Sequence, residues 1–122
     1  MDRVFMTLGS VSALLGVALG AFAAHGLKPD LAPSLLAAFE TGVRYQLYHA
    51  LALLAVGLAW ARWPGPLMIA SGYLFVAGTV LFSGSLYALS LSGMRWLGAI
   101  TPFGGVAFLL GWACLAWAVW KR

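Results

Sequence analysis

Apolar and polar positions alternate along this chain in long blocks rather than residue by residue. Four stretches are apolar enough to cross a bilayer: Val4 to Ala24, Val43 to Ala61, Leu67 to Leu91 and Pro102 to Trp120, the second being clean only from Ala50 onward. A crossing helix takes roughly 20 residues. No stretch shows the period-two alternation of a barrel strand, and backbone groups cannot go unpaired in lipid, so helices are predicted throughout. The one long connection, His25 to Gly42, carries Leu31, Leu35, Leu36 and Phe39 at helical spacing. That spacing predicts a short amphipathic helix over about residues 31–41, lying at the interface and either separate from the second span or continuous with it, with Asp30 as its cap and Pro33 in its first turn. The links Arg62 to Pro66 and Ser92 to Thr101 are short, which favours antiparallel neighbours. Thr101-Pro102 reads as an N-cap followed by a proline at the first helical position. The predicted fold is all-α: one membrane domain over residues 1–122, an integral membrane four-helix bundle with a short amphipathic helix between the first and second spans.

Composition narrows the class further. Of the 122 residues 63% are apolar and 8% charged, more apolar surface than a chain this short can bury. A soluble enzyme, a nucleic-acid binder and a disordered tail are excluded. The net charge of +4 comes from cations scattered between apolar stretches. Arg3, Arg62, Lys121 and Arg122 fall on the side of the termini, and Lys28, Arg95 and Arg44 on the other. The positive-inside rule then places the termini in the cytoplasm, in a multi-pass protein of the plasma (inner) membrane. Tyrosines and tryptophans mark the two interfaces. Ala21-Phe22-Ala23 resembles a signal-peptidase site, but the apolar core before it exceeds the usual 7–15 residues of a signal peptide, so a retained helix is expected. Cys114, the single cysteine, lies in an apolar run and forms no internal disulfide.

The first span carries Gly9, Ala13, Gly16, Gly20 and Ala24 three or four positions apart, a small-residue stripe with a GxxxG pair. Such stripes let helices approach closely in lipid. The third span repeats Ser71, Gly78, Ser85 and Ser92 every seventh residue, and the fourth carries Gly104, Gly105, Ala107 and Gly111. These residues serve packing within the chain, a homo-oligomer or larger membrane complex, or a lipid groove, and the pattern alone leaves the three open.

Polar side chains gather toward the leaflet away from the termini. His25 ends the first span; Glu40, Thr41, Arg44, Tyr45, Gln46, Tyr48 and His49 open the second. Ser83, Ser85 and Tyr87 lie late in the third, and Thr101 opens the fourth. Thr41, Arg44, Tyr45 and Tyr48 share one sector of a helical wheel, and Glu40 stands one turn before Arg44, as in an i,i+4 ion pair. An arginine near hydrocarbon pairs, faces the bundle interior or snorkels to the surface. Arg44 therefore either locks the amphipathic segment to the second span or clamps an anionic headgroup. His25 and His49 either hydrogen-bond neighbouring helices or ligate haem iron. They make a thin metal site by themselves, and no metal is expected. Paired carboxylates, a Ser/His/Asp set with a nucleophile elbow and a phosphate loop are all absent from the sequence. The first span also lacks the glutamate on which small multidrug exporters depend.

Across nearly its whole length the chain resembles a family of small membrane proteins catalogued as domain of unknown function 423. The resemblance rests on Gly20-Ala21-Phe22-Ala23-Ala24-His25-Gly26-Leu27 and Thr41-Gly42-Val43-Arg44-Tyr45-Gln46-Leu47-Tyr48-His49-Ala50. It continues in Leu81-Phe82-Ser83-Gly84-Ser85-Leu86-Tyr87 and Gly98-Ala99-Ile100-Thr101-Pro102-Phe103-Gly104-Gly105. Ala23 stands where the family pattern often has glycine. The resemblance implies a multi-span inner-membrane protein and carries no activity with it.

The function expected from these residues is non-enzymatic: a scaffold, accessory or lipid-interacting protein whose polar cluster organises one leaflet of the bundle, with membrane lipids as its partners and no nucleic acid. The alternative is a haem or quinone site, with His25 and His49 as ligands and Tyr45, Tyr48 and Arg44 around them. A passive transporter of a small polar solute is the third reading, and it needs a polar path that only Thr7, Ser10, Ser12, Ser71 and Thr79 offer.

Overall fold

The computed structural model describes residues 1–121, and Arg122 lies outside them. Among the described residues all regular structure is helical. Helix α1 spans Asp2–Phe22 and continues through a π-helical turn, Ala23–Leu27. Helix α2 is a single 27-residue rod, Pro33–Ala59, about 40 Å long at 1.5 Å per residue. The third rod comprises α3, Pro66–Gly78, a π-helical turn, Thr79–Ser83, and α4, Gly84–Ser92. A 3-10 turn, Arg95–Ala99, leads into α5, Thr101–Trp120. The stretches Asp2–Leu27, Pro66–Ser92 and Arg95–Trp120 are long and apolar enough to cross a membrane.

At α2 the amphipathic segment takes the continuous arrangement: it forms the first turns of α2, because nothing between Leu36 and Val43 breaks the helix. Leu35 and Leu36 are half-buried and Phe39 is buried, as the spacing requires. The second span is also not among the three stretches apolar enough to cross, since Glu40, Arg44, Gln46 and His49 interrupt its first half. Both cap assignments move as well. Ala32, not Asp30, is the N-cap of α2, with Pro33 in the tolerated first turn, and Ile100, not Thr101, precedes α5.

Two helix pairs build the bundle. Helix α1 lies along α2, and α3 lies along α5. The glycine stripe of α1 is used within the chain. A Cβ on Gly9 would stand 2.8 Å from the Ala50 carbonyl oxygen, one on Gly16 2.7 Å from Leu47, and one on Gly20 3.3 Å from Val43. Of the three uses left open for this stripe, these glycines serve packing within the chain, with Ala13 half-buried beside them. In the other pair Gly78 receives the ring of Phe108 and Gly111 that of Phe75. Ser71 fastens the same contact by donating to the Gly111 carbonyl at 2.8 Å. The main core of Phe5, Leu53, Val56, Met68, Phe75 and Phe108 joins the two pairs. Phe5, fully buried, crosses from α1 onto Gly72 and meets Tyr73 edge to face at 5.2 Å. A second cluster, Ala23, Leu27, Phe39 and Val43, closes the far end of α1 on α2.

Candidate functional site: polar cross-links and a lipid-facing groove

The burial of α2 decides which of its polar residues meet other helices. Its inward line runs Phe39, Gly42, Val43, Gln46, His49, Ala50, Leu53 and Val56, at three- and four-residue intervals. The sector of Arg44, Tyr45 and Tyr48 is the exposed one, and Thr41 is half-buried at its edge. Arg44 donates to the Thr41 hydroxyl at 3.1 Å, and Thr41 donates to the Ala37 carbonyl at 2.9 Å. The ion pair expected between Glu40 and Arg44 does not form: among the described residues the one ion pair within 4.0 Å joins the N-terminal amine to Asp2. Glu40 and Arg44 are both exposed, where such a pair is worth at most a few tenths of a kcal/mol, and the hydroxyl one turn back meets the guanidinium instead.

Gln46 carries the connectivity that the wheel assigned to its neighbours. Its Nε2 donates to the main-chain oxygen of Ser12 on α1 at 2.9 Å, and its Oε1 accepts from the Tyr87 hydroxyl on α4 at 2.6 Å. One buried amide thus ties three helices together. Above it, Ser83 donates to the Gly42 carbonyl at 2.6 Å, and the Tyr87 ring lies where a Cβ on Gly42 would go. Ser85 and Thr101 share a hydrogen bond of 2.6 Å that joins α4 to the first residue of α5. The sequence offered a signal for Gln46, an amide on the apolar line of a span, but its place among six polar neighbours hid which one faced inward.

His49 is enclosed. Its Nδ1–H donates to the Tyr45 carbonyl at 2.8 Å, so Nε2 is the acceptor, and it receives the Trp112 indole N–H at 3.1 Å. The ring stacks on Phe108 at 3.6 Å and 6°. His25 is exposed in the turn whose Ala23 and Leu27 pack on Phe39 and Val43. Those contacts lie six to ten residues, about 9–15 Å, from His49 along α2. An axial haem ligand needs a free ring nitrogen, and both of those of His49 are engaged. The two histidines as arranged do not fit a shared iron. Among the described residues no three His, Cys, Asp or Glu side chains converge, and Cys114 is half-buried on α5.

Because α1 packs on α2 and reaches the third rod at Phe5, it diverges from that rod beyond this contact and leaves a groove of about 550 Å³. Leu8, Leu15 and Leu19 of α1 form one wall and Val76 and Val80 the other, with Gln46 and Leu53 at the base. Ser12, Thr79 and Tyr87 are the further polar side chains on it. No Asp, Glu, Lys, Arg or His lines it.

These features define a class, the small multi-helix membrane proteins whose interior polar groups join helices. Within it, the chain belongs to the family described as protein of unknown function (DUF423), whose pattern matches residues 19–105. It is 47% identical over 120 residues to the UPF0382 membrane protein YwdK of Bacillus subtilis, covering 98% of each chain. It is 42% identical to a UPF0382 membrane protein of Haemophilus influenzae, over 99% of this chain and 97% of that one. With the UPF0382 inner membrane protein YgdD of Escherichia coli it shares 41% identity over 93% of this chain and 87% of that one. No solved structure matches. The matched region contains Gln46, Ser83, Ser85, Tyr87 and Thr101, and Ser12 lies before it.

Proposed function

We propose that this protein is a non-enzymatic, lipid-interacting bundle of the inner membrane that holds one lipid chain in the groove between α1 and the third rod. The groove itself carries the reading: an apolar slot without charged walls, inside the roughly 300–1,000 Å³ range of small-molecule sites. From Leu8 to Leu19 it runs eleven residues along α1, about 16 Å, or about half of a 30 Å hydrocarbon core. That length suits an extended chain parallel to the helices. In this reading α2 is the fourth span, its polar residues satisfied by neighbouring helices, and the termini are cytoplasmic. The name of the Escherichia coli relative supports the inner membrane, and the cations beside the termini support their side.

The test is mass spectrometry of the intact protein released from nanodiscs of a single phospholipid. One retained lipid per chain is expected. Leu15→Trp fills the slot from a half-exposed position and should abolish that retention while leaving the melting temperature within a few degrees. Equal retention by this variant would overturn the reading.

A further inference from the structure

On its outward side α2 carries a carboxylate and a guanidinium that do not pair with each other. Ala37, Glu40, Arg44, Tyr45 and Tyr48 make up the exposed line of this helix. Gln46, two residues beyond Arg44 and so on the opposite side of the helix, forms the base of the groove, and none of the exposed line belongs to its walls.

The packing of α1 on α2 sets the depth of these charges. Asp2 opens the first apolar stretch and marks one edge of the hydrocarbon. Gly20, eighteen residues further along α1, faces Val43, to which a Cβ on it would come within 3.3 Å. Eighteen residues of helix rise about 27 Å, so Arg44 stands at the opposite edge of a core about 30 Å thick, where the phosphates of a bilayer begin. Its guanidinium is drawn toward the N-terminal end of α2, because Nη2 donates to Thr41 Oγ1 at 3.1 Å. Thr41 takes one of its several N–H groups, and among the described residues no carboxylate lies within 4.0 Å of it. A cation at this depth pairs or reaches the headgroups. Glu40 is exposed on the same face, one turn or about 6 Å closer to the water. From water toward hydrocarbon, the helix presents a negative charge and then a positive one.

A zwitterionic phospholipid presents the reverse order, its ammonium outside and its phosphate inside. An anionic headgroup offers the phosphate to Arg44 but sets no cation against Glu40. We infer that Glu40 and Arg44 together hold the headgroup of a zwitterionic aminophospholipid in the leaflet away from the termini, with the phosphate on Arg44 and the ammonium on Glu40. This headgroup site is separate from the chain held in the groove. Open to the bilayer, it exchanges with it, so occupancy is read in the membrane and not by retention after release.

Tyr48→benzoylphenylalanine, one turn deeper and at a position 55% exposed, sets a photocrosslinker beside the two charges. The full-length chain is irradiated in bilayers of equal parts phosphatidylethanolamine, phosphatidylglycerol and monogalactosyl diacylglycerol with matched acyl chains, and the adducts are identified by mass. Phosphatidylethanolamine adducts should exceed phosphatidylglycerol adducts about two- to fivefold, the worth of one exposed ion pair. Glu40→Gln should erase that preference. Arg44→Gln should lower phosphatidylethanolamine relative to the galactolipid, which has no phosphate, by a similar factor. Both substitutions are at exposed positions, and circular dichroism checks the fold. Adducts in the bulk lipid ratio, or ratios that neither substitution moves, overturn the inference. Leu15→Trp, which fills the groove, should leave the ratios as they are; ratios that follow Leu15→Trp instead assign the adducts to the groove and overturn the headgroup site while leaving the groove reading in place.

Discussion

Gln46 and Arg44 stand two residues apart on one helix and have opposite surroundings. The amide is buried and bonded to two other helices, while the guanidinium reaches one hydroxyl on its own helix. Hydrogen bonds between membrane helices are worth about 0.6 kcal/mol on average and at most about 1.7. Gln46→Leu removes two of them and should cost about 1–2 kcal/mol in reversible unfolding by sodium dodecyl sulfate. Arg44→Ala, at an exposed position, should stay within about 0.5 kcal/mol in the same assay. Phe5→Ala should cost more than either, about 3–5 kcal/mol, because Phe5 is fully buried at the crossing of α1 and α3. Polarity alone drew Arg44, Tyr45 and Tyr48 into the candidate site. Only burial separates them from Gln46, and burial follows from where the glycines of α1 dock.

At the scale of the element, the π turn Thr79–Ser83 adjusts which face of the third rod looks inward. Continued at 3.6 residues per turn from Phe75 and Gly78, an α-helix would bring residue 82 to the seam. The wider turn admits one extra residue: Phe82 still meets α5 at Gly104 and Phe108, while Ser83 beside it is buried against Gly42 of α2, followed by Ser85, Leu89 and Ser90. Deleting Val80, which is 64% exposed, should convert the turn to plain α-helix and leave the faces on either side in register. The deletion variant is expected to remain folded and monodisperse on size exclusion. Inserting an alanine at the same place adds a second extra residue and rotates α4 by about 100°. It should part Tyr87 from Gln46 and Ser85 from Thr101, with aggregation or loss of helicity as the readout. That the regular structure is helical was legible from the long apolar blocks and the lack of period-two alternation. The π turns were not, because Ser71, Gly78 and Ser85 stay buried at seven-residue spacing on both sides of the turn, and only Ser92 ends exposed, bonded to its own helix.

For the molecule as a whole, fold class and membrane setting were legible because 63% apolar content and long apolar blocks leave few alternatives. The groove was not, since it depends on α1 following α2 instead of the third rod, and no periodicity encodes that choice. The pairing of α1 with α2 and of α3 with α5 has a bearing on how the chain is made. Each pair is closed by its own glycines and short link, so a ribosome can deliver the molecule to the insertion machinery as two successive hairpins. The first would be complete before the second emerges, with its unsatisfied Gln46 amide waiting for Tyr87. Two genes encoding residues 1–63 and 64–122, expressed together, should yield fragments that co-purify through a tag on either one, and Gln46→Leu in the first fragment should reduce the recovered partner. In the cell this would make the seam between hairpins the last joint to close.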